Sequence, residues 1–291
     1  MKISKAVIPV AGLGTRMLPA TKEVPKELMP ILDKPLIQHV VNEAASSGIK
    51  EIIFVTRPGK KSVTKYFSIN QELESYLIKK KKSTIKRKLP NKIFKNIQFF
   101  SVVQKEPLGL GHAILSSQKI IQDEPFVVLL PDELLISKTK MLDLKLMINN
   151  FKNFKKYQIL VEKVSKKLIS NYGVVDLKKS DLTFTRPSLI KDIIEKPKAN
   201  LAPSNKRVIG RYLLPGSIFK YLKKVKPGKD NEIQLTDAIK KMIFEEDNCF
   251  QATLSNSIVY DCGSVKGFIG ANIAMAMNDK SLKNYLREII K

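Results

Sequence analysis

At 291 residues and 43% hydrophobic content, the chain can bury a substantial core as one large α/β domain or two smaller ones. No apolar run reaches the ~18 to 20 residues of a helical membrane span, no signal-peptide pattern opens the chain, and Cys249 and Cys262 lack metal-like spacing, so a disulfide scaffold is excluded and a cytoplasmic location is expected. The net charge of +25 invites a nucleic-acid reading, but only seven of the 52 basic residues are arginine, the side chain suited to bidentate phosphate and base contacts; neither a nucleic-acid nor a membrane partner is expected.

The first element is an apolar strand over 6–10 that breaks at Ala11, Gly12 and Gly14. Such a switch leaves backbone N–H groups unpaired and lets the main chain approach a ligand closely. Thr15, Arg16, Lys22 and Lys26 follow, with Pro19 and Pro25 stiffening the path, so the stretch reads as a phosphate cradle. It is not a dinucleotide fingerprint, which needs glycine where Met17 stands. Nor is it a P-loop, which needs Gly-Lys-Ser/Thr where the chain offers Arg16-Met17.

Asp33-Lys34-Pro35 starts a helix with proline in its first turn. Leu36, Ile37, Val40, Val41, Ala44 and Ala45 form its apolar face, and Gly48 stops it; His39 within it reads as a packed histidine. A buried strand follows over 52–55, then a polar, helix-permissive surface excursion over 60–95 with a basic run at 79–88. The chain returns to the sheet over 97–103, and after Gln104 the pair Gly109 and Gly111 opens another helix. The strand over 126–130 ends in Pro131-Asp132-Glu133. Ligands of open α/β sheets gather beyond the carboxyl ends of strands, and a carboxylate there, facing a phosphate loop, suits Mg²⁺; Asp132 is the leading metal ligand.

Further strands are expected over 157–164 and 172–177. Residues 190–198 set Glu195 beside Lys196, on opposite faces if the strand continues. Leu235, Ala238, Ile239, Met242 and Ile243 mark an amphipathic helix, with Thr236 and Asp237 read as caps and packing contacts. A strand over 257–262 carries Asp261 at its end, before Gly263; Ser264 caps the next helix, and a basic helix over 280–290 follows. The alternation argues for an α/β fold with a mixed, mainly parallel sheet flanked by helices.

The pattern A-G-x-G-T-R-x-x-P-x-T-K-x-x-P-K-E resembles the signature of the sugar nucleotidyltransferases. Over AGLGTRMLPATKEVPKELMPILDKPLIQ it resembles the bacterial UTP–glucose-1-phosphate uridylyltransferases among them, and the likeness covers nearly the full chain. The resemblance implies a Rossmann-like nucleotidyltransferase fold with a small sugar-side subdomain. It divides the chain into a nucleotide-binding half over 1–135, a sugar-phosphate half over 136–279, and a C-terminal helix over 280–291 at a subunit interface of a homo-oligomer, dimer or tetramer. The implied reaction transfers UMP from UTP to α-D-glucose 1-phosphate with Mg²⁺ as cofactor. An ionised phosphate oxygen as nucleophile needs no strong base, which suits a chain rich in placed cations and lacking a nucleophile–base pair.

By the same likeness, Ala11, Gly12, Gly14 and Thr15 bind the nucleotide, and Gln104 and Gly109 face the uracil. Arg16 and Lys26 hold the triphosphate; Gly173, Glu195 and Gly210 face the glucose and Lys196 its phosphate. Asp261, in an Asp-x-Gly, shares the metal with Asp132. One departure falls at Asp230-Asn231, where relatives carry Gly or Asp in place of Asn231. Two alternatives stay open. A thymidylyltransferase of the same fold carries G-L-A-Q-A where this chain has Gly109-Leu110-Gly111-His112-Ala113, and a noncatalytic regulatory paralogue loses the Thr15-Arg16 pair that stands here.

Overall fold

In the computed structural model, which describes residues 2–179, 181–228 and 231–289, β1 (Lys5–Pro9) runs into the glycine loop. A short hairpin, β2 (Pro30–Ile31) and β3 (Lys34–Pro35), leads to α1 (Leu36–Ser46) and β4 (Glu51–Thr56). Four short helices follow, α2 (Ser62–Phe67), α3 (Gln71–Lys79), α4 (Ser83–Arg87) and α5 (Pro90–Ile93), before β5 (Gln98–Val103). Next come α6 (Gly109–Leu115), α7 (Gln118–Ile121), β6 (Phe126–Leu129), β7 (Glu133–Ser137), α8 (Asp143–Phe154) and β8 (Tyr157–Lys163). The remainder is β9 (Val174–Leu177), β10 (Ser188–Ile194), β11 (Lys206–Leu214), α9 (Ile218–Leu222), α10 (Leu235–Glu245), β12 (Phe250–Leu254), β13 (Ser257–Asp261), α11 (Val265–Asn278) and α12 (Lys280–Ile289).

Nine strands form one sheet in the order β5-β4-β1-β6-β11-β8-β12-β10-β9. The expected mixed α/β sheet is present, but its ladders are evenly divided rather than mainly parallel: β5, β4, β1 and β6 all run parallel, as do β8 and β12 to each other. Strand β11 is antiparallel to both neighbours, and β10 to both of its own. Successive residues of β1, β4 and β6 point alternately to two buried layers, as pleated strands covered on both faces must. Val7, Ile53 and Val128 face one layer with Ala113, Phe219 and Ile239; Ile8, Phe54 and Leu129 face the other with Val40 of α1 and Met147 of α8. Each fully buried side chain of α10, such as Leu235 or Met242, contributes about 1.5–3 kcal/mol, so the apolar stripe is what holds that helix on the sheet.

Two local expectations change. Pro35 is the N-cap of α1 and sits in the β2–β3 hairpin, one residue before the helix rather than inside its first turn. The 60–95 excursion is helical and anchored: Phe67 and Phe94 pack onto Phe99, and Phe67 stacks on Phe54 at a ring separation of 5.4 Å. Asp230 and residue 290, the end of the expected last helix, lie outside the described residues, while Asn231 adopts a left-handed φ of 57°, which asparagine tolerates. Among the described residues no helix is long and apolar enough to cross a membrane.

Candidate active site

The chain places β4 and β5 on one side of β1 and then returns to lay β6 on the other, so the strand order reverses between β1 and β6. A crevice opens at such a point beyond the carboxyl ends of the strands. The glycine loop forms one lip and Asp132, just past β6, the other. Lys26 Nζ donates across the gap to Asp132 Oδ2 at 2.6 Å. Arg16 donates two hydrogen bonds to Asp261, at 2.8 and 3.1 Å, and its Nη2 lies 3.8 Å from Asp132 Oδ2. Lys22 is exposed and outside this group.

Asp132 and Asp261, far apart in sequence, meet because β13 pairs antiparallel with β7, putting Asp261 opposite Glu133. The Cys262 N–H then donates to the Asp132 carbonyl at 2.7 Å. The turn carrying Asp132 is clamped from below by Arg211, which is fully buried. Arg211 pairs with Glu43 at 2.9 and 2.8 Å and donates to the Leu130 and Glu133 carbonyls on either side of the turn. Burial pushes the Asp132 carboxyl upward, but the Lys26 ammonium bonded to it and the nearby Arg16 outweigh that and hold it below the usual carboxylate range. It is therefore ionised at neutral pH.

Arg16, Asp132 and Asp261 share an open cleft of ≈ 450 Å³ with Gly173, Glu195, Lys196 and Gly210. The Glu195–Lys196 geometry differs from the sequence expectation. β10 stops at Ile194 and Lys196 turns into a left-handed conformation, φ 45°, so the two side chains line one cleft rather than opposite faces. Thr236 Oγ1 donates to Glu195 Oε2 at 3.1 Å and lines the cleft, a contact beyond the capping and packing expected of it. Burial raises the Glu195 carboxyl above its ordinary range, with the Thr236 hydroxyl and Lys196 opposing. Tyr172 closes one wall, its ring held 4.2 Å from the Arg207 guanidinium, which is itself fixed by Glu133 at 2.8 Å and by Glu162.

The residues expected on the base side lie outside that lining, at the neighbouring strand ends. Gln104 follows β5, is 5% exposed, and donates through Nε2 to the Gly109 carbonyl at 3.1 Å. No hydrogen bond to another described residue engages its Oε1. Gly109 needs to be glycine: its φ is +83°, and a Cβ there would lie 2.7 Å from Glu232 Cβ. His112 Nδ1 sits 3.0 Å from the Glu106 carbonyl, so it braces this loop. Ala11, Gly12, Gly14 and Thr15 continue the same lip, with Gly14 in a left-handed turn, φ 72°.

The carboxylates suit a hard divalent ion. A Cβ added to Gly263 would meet Arg16 Nη2 first, then Asp132 Oδ2 at 3.0 Å and Asp261 Oδ1 at 3.1 Å, so the two carboxylate oxygens flank one small space at the cleft edge that the Arg16 guanidinium also borders. Among the described residues no group of three or more His, Cys, Asp and Glu is gathered as for a closed metal site. Two carboxylates open to the cleft match the donor set of Mg²⁺, which takes its remaining ligands from water and phosphate. Cys262 beside them is buried, its thiol pushed up to about 12, which rules it out as a thiolate nucleophile at neutral pH.

Residues 5–278 match the nucleotidyl transferase family. The chain is 41% identical over 292 residues to the UTP–glucose-1-phosphate uridylyltransferase 1 of Staphylococcus saprophyticus, covering 100% of this chain and 99% of that one. A solved UTP-bound UGPase from Acinetobacter baumannii superposes with a TM-score of 0.90 at 38% identity, covering 99% of each chain. A UDP-glucose pyrophosphorylase complexed with UDP-glucose superposes with a TM-score of 0.84 at 39% identity, covering 96% of this chain and all of that one. With the glycine loop, its cations and the facing strand-end carboxylates gathered at one switch point, and the match running almost from end to end, the chain belongs to the nucleotidyl transferase family.

Proposed function

We propose that the chain transfers the uridylyl group of UTP to α-D-glucose 1-phosphate, giving UDP-glucose and pyrophosphate. The observation that carries this reading is that Arg16 of the glycine loop and the Glu195–Lys196 pair line one cleft together with Asp132 and Asp261, to which Lys26 and Arg16 are bonded. The full-length likeness to uridylyltransferases, including proteins solved with UTP and with UDP-glucose, supports the choice of base and sugar.

An oxygen of the sugar phosphate attacks the α-phosphorus, and the bond from that phosphorus to the bridging oxygen of the departing pyrophosphate breaks. The nucleophile is already ionised, so the protein's work is to align two mutually repelling anions and neutralise charge. Lys196 holds the attacking phosphate, and Glu195, oriented by Thr236, accepts glucose hydroxyls while Gly173 and Gly210 let the sugar approach the backbone. Arg16, with N–H groups beyond those Asp261 accepts, and Lys26 take the triphosphate and the leaving pyrophosphate. Gln104 Oε1 accepts from the uracil N3–H, beside Gly109, with Ala11 and Gly12 across the base and Gly14 and Thr15 on the phosphates. Asp132 and Asp261 would hold Mg²⁺, whose charge when bound offsets that of the phosphate oxygens. On this reading the nucleotide half is 1–135 and the sugar-phosphate half 136–279.

The test is pyrophosphate release over a matrix of nucleoside triphosphates and sugar 1-phosphates. Highest kcat/KM for UTP with glucose 1-phosphate is expected. Highest kcat/KM with dTTP would reassign the chain as a thymidylyltransferase, and no release with any pair would leave a binding protein.

We also propose a cytoplasmic homo-oligomer. Both cysteines are free thiols, which fits a reducing compartment. Val265, Ile269, Ile273 and Met277 stand exposed at four-residue spacing along α11, and Leu282, Tyr285 and Ile289 extend the apolar surface along α12. Light scattering is expected to give a multiple of the 32.9 kDa chain mass, falling to one chain in the Ile269→Asp/Ile273→Asp variant. A monomeric parent protein would sink this assembly.

A further inference from the structure

Beneath the glycine loop lies a buried ion pair to which the chemistry above gives no role. Lys60, in the turn after β4, donates through Nζ to Glu27 Oε2 at 2.8 Å and to the Gly12 carbonyl at 3.1 Å. Both side chains are out of water, Lys60 at 5% and Glu27 at 1% exposure, and Glu27 Oε1 has no hydrogen-bond partner among the described residues. Desolvation pushes the Lys60 ammonium below its ordinary range, opposed by the Glu27 charge. A pair this dry is a poor device for stability, because packed apolar side chains of similar volume hold a fold as well or better.

Its placement is more informative. Gly12 follows β1 and Lys60 follows the adjacent parallel strand β4, so Lys60 ties together two loops that leave neighbouring strand ends. Glu27 shares a single helical turn, Lys26–Leu28, with Lys26, and the two side chains leave it in different directions. Lys26 reaches Asp132 in the cleft wall, while Glu27 reaches into the core to Lys60. Holding Glu27 therefore holds the turn that delivers Lys26. The loop and that lysine are also adjacent: a Cβ on Gly12 would lie 3.9 Å from Lys26 Nζ.

We propose that Lys60 and Glu27 are positioning residues for the nucleotide, one ammonium setting both the Gly12 segment of the loop and, through Glu27, the turn that carries Lys26. The proposal rests on the reading of this site as a UTP site. It predicts that the pair governs nucleotide affinity separately from folding.

Lys60→Met keeps the stem and removes the charge, stranding Glu27 as an unpaired buried carboxylate, so its Tm is expected to fall. Glu27→Gln/Lys60→Met removes that stranded charge, and its Tm is expected to return to near that of the parent. UTP affinity, measured by calorimetry without sugar phosphate, is expected to weaken about tenfold or more in both variants, since displacements of an ångström in a binding constellation have effects of that order. In the double variant KM for UTP should rise with it, while KM for glucose 1-phosphate at saturating UTP stays within about twofold, because Glu195 and Lys196 are carried by a different strand end. A double variant that recovers both Tm and UTP affinity shows the pair to be structural only and overturns the proposal. A double variant that stays unfolded does the same, by assigning the pair to the fold. Failure of the parent protein to bind UTP in the same titration would instead refute the reading of the site.

Discussion

Lys196→Ala is expected to lower kcat with glucose 1-phosphate by about 10²–10³-fold without loss of the folded state, the scale on which removal of one placed charge-stabilising donor acts. The side chain is 47% exposed and its Nζ lies 4.0 Å from Glu195 Oε1, too far for a hydrogen bond, so the ammonium contributes little to folding and keeps its donors for an incoming phosphate. Its backbone indicates the same. Lys196 sits at φ 45°, a conformation costing an ordinary residue roughly 1–2 kcal/mol, and it is held there by its own N–H donating to the Tyr172 carbonyl at 3.1 Å. Strain retained at a cleft residue is expected where the side chain direction is needed for function. Lys196→Gly should therefore lose as much activity as Lys196→Ala, yet melt about 2 °C higher than the parent after allowing for glycine's extra chain entropy. Turnover assays and thermal melts on both variants check this; near-parental kcat in Lys196→Ala removes Lys196 from the chemistry.

That left-handed lysine also marks where sequence reading stops. The Glu195–Lys196 pair stands out as a motif, but nothing in IIEKPK announces a positive φ at lysine, so alternation along a continued strand puts the two side chains on opposite faces. Asp132 is legible for the opposite reason: a fully apolar strand, Phe126–Leu129, ends abruptly in a turn, and the fold class alone says what a carboxylate there faces. Thr236 reads as a helix-start residue because its hydrogen-bond partner, Glu195, is 41 residues away. The same distance problem hides the supports of the site. Arg211 and Glu43 are 168 residues apart, Arg207 and Glu133 are 74 apart, and a single sequence gives no sign that these charges are buried together. Lys60 opens a lysine-rich excursion and looks like one more solvated cation; only the stacked ends of β1 and β4 turn it inward beneath Gly12.

Asp132→Asn is expected to cost at least as much activity, about 10³-fold, and to change the acid limb of stability in a defined direction. The amide keeps the shape of the turn clamped by Arg211 but removes the charge that faces Lys26 at 2.6 Å and Arg16 at 3.8 Å. Lys26, with only 17% of its side chain exposed, is then left without its partner, which should lower stability at neutral pH by about 2–3 kcal/mol, less than for a fully buried pair. The sign of the pH effect follows from the carboxyl being held below its unfolded value of about 3.9. Such a group stabilises the fold above that pH and loses its contribution as pH falls through the depressed folded value. The parent protein should therefore lose this increment of Tm on acidification below about pH 4, whereas Asp132→Asn, lacking it from the start, shows a shallower decline and the two curves converge. Added Mg²⁺ is not expected to restore turnover, because an amide oxygen supplies a hard cation with a neutral donor in place of an anionic one. Melts from pH 3 to 7 and rates across a magnesium series separate the two roles. Parallel Tm curves would show that Asp132 is not held ionised by Lys26 and Arg16, and turnover recovered at high magnesium would show that its charge serves only to raise ion affinity.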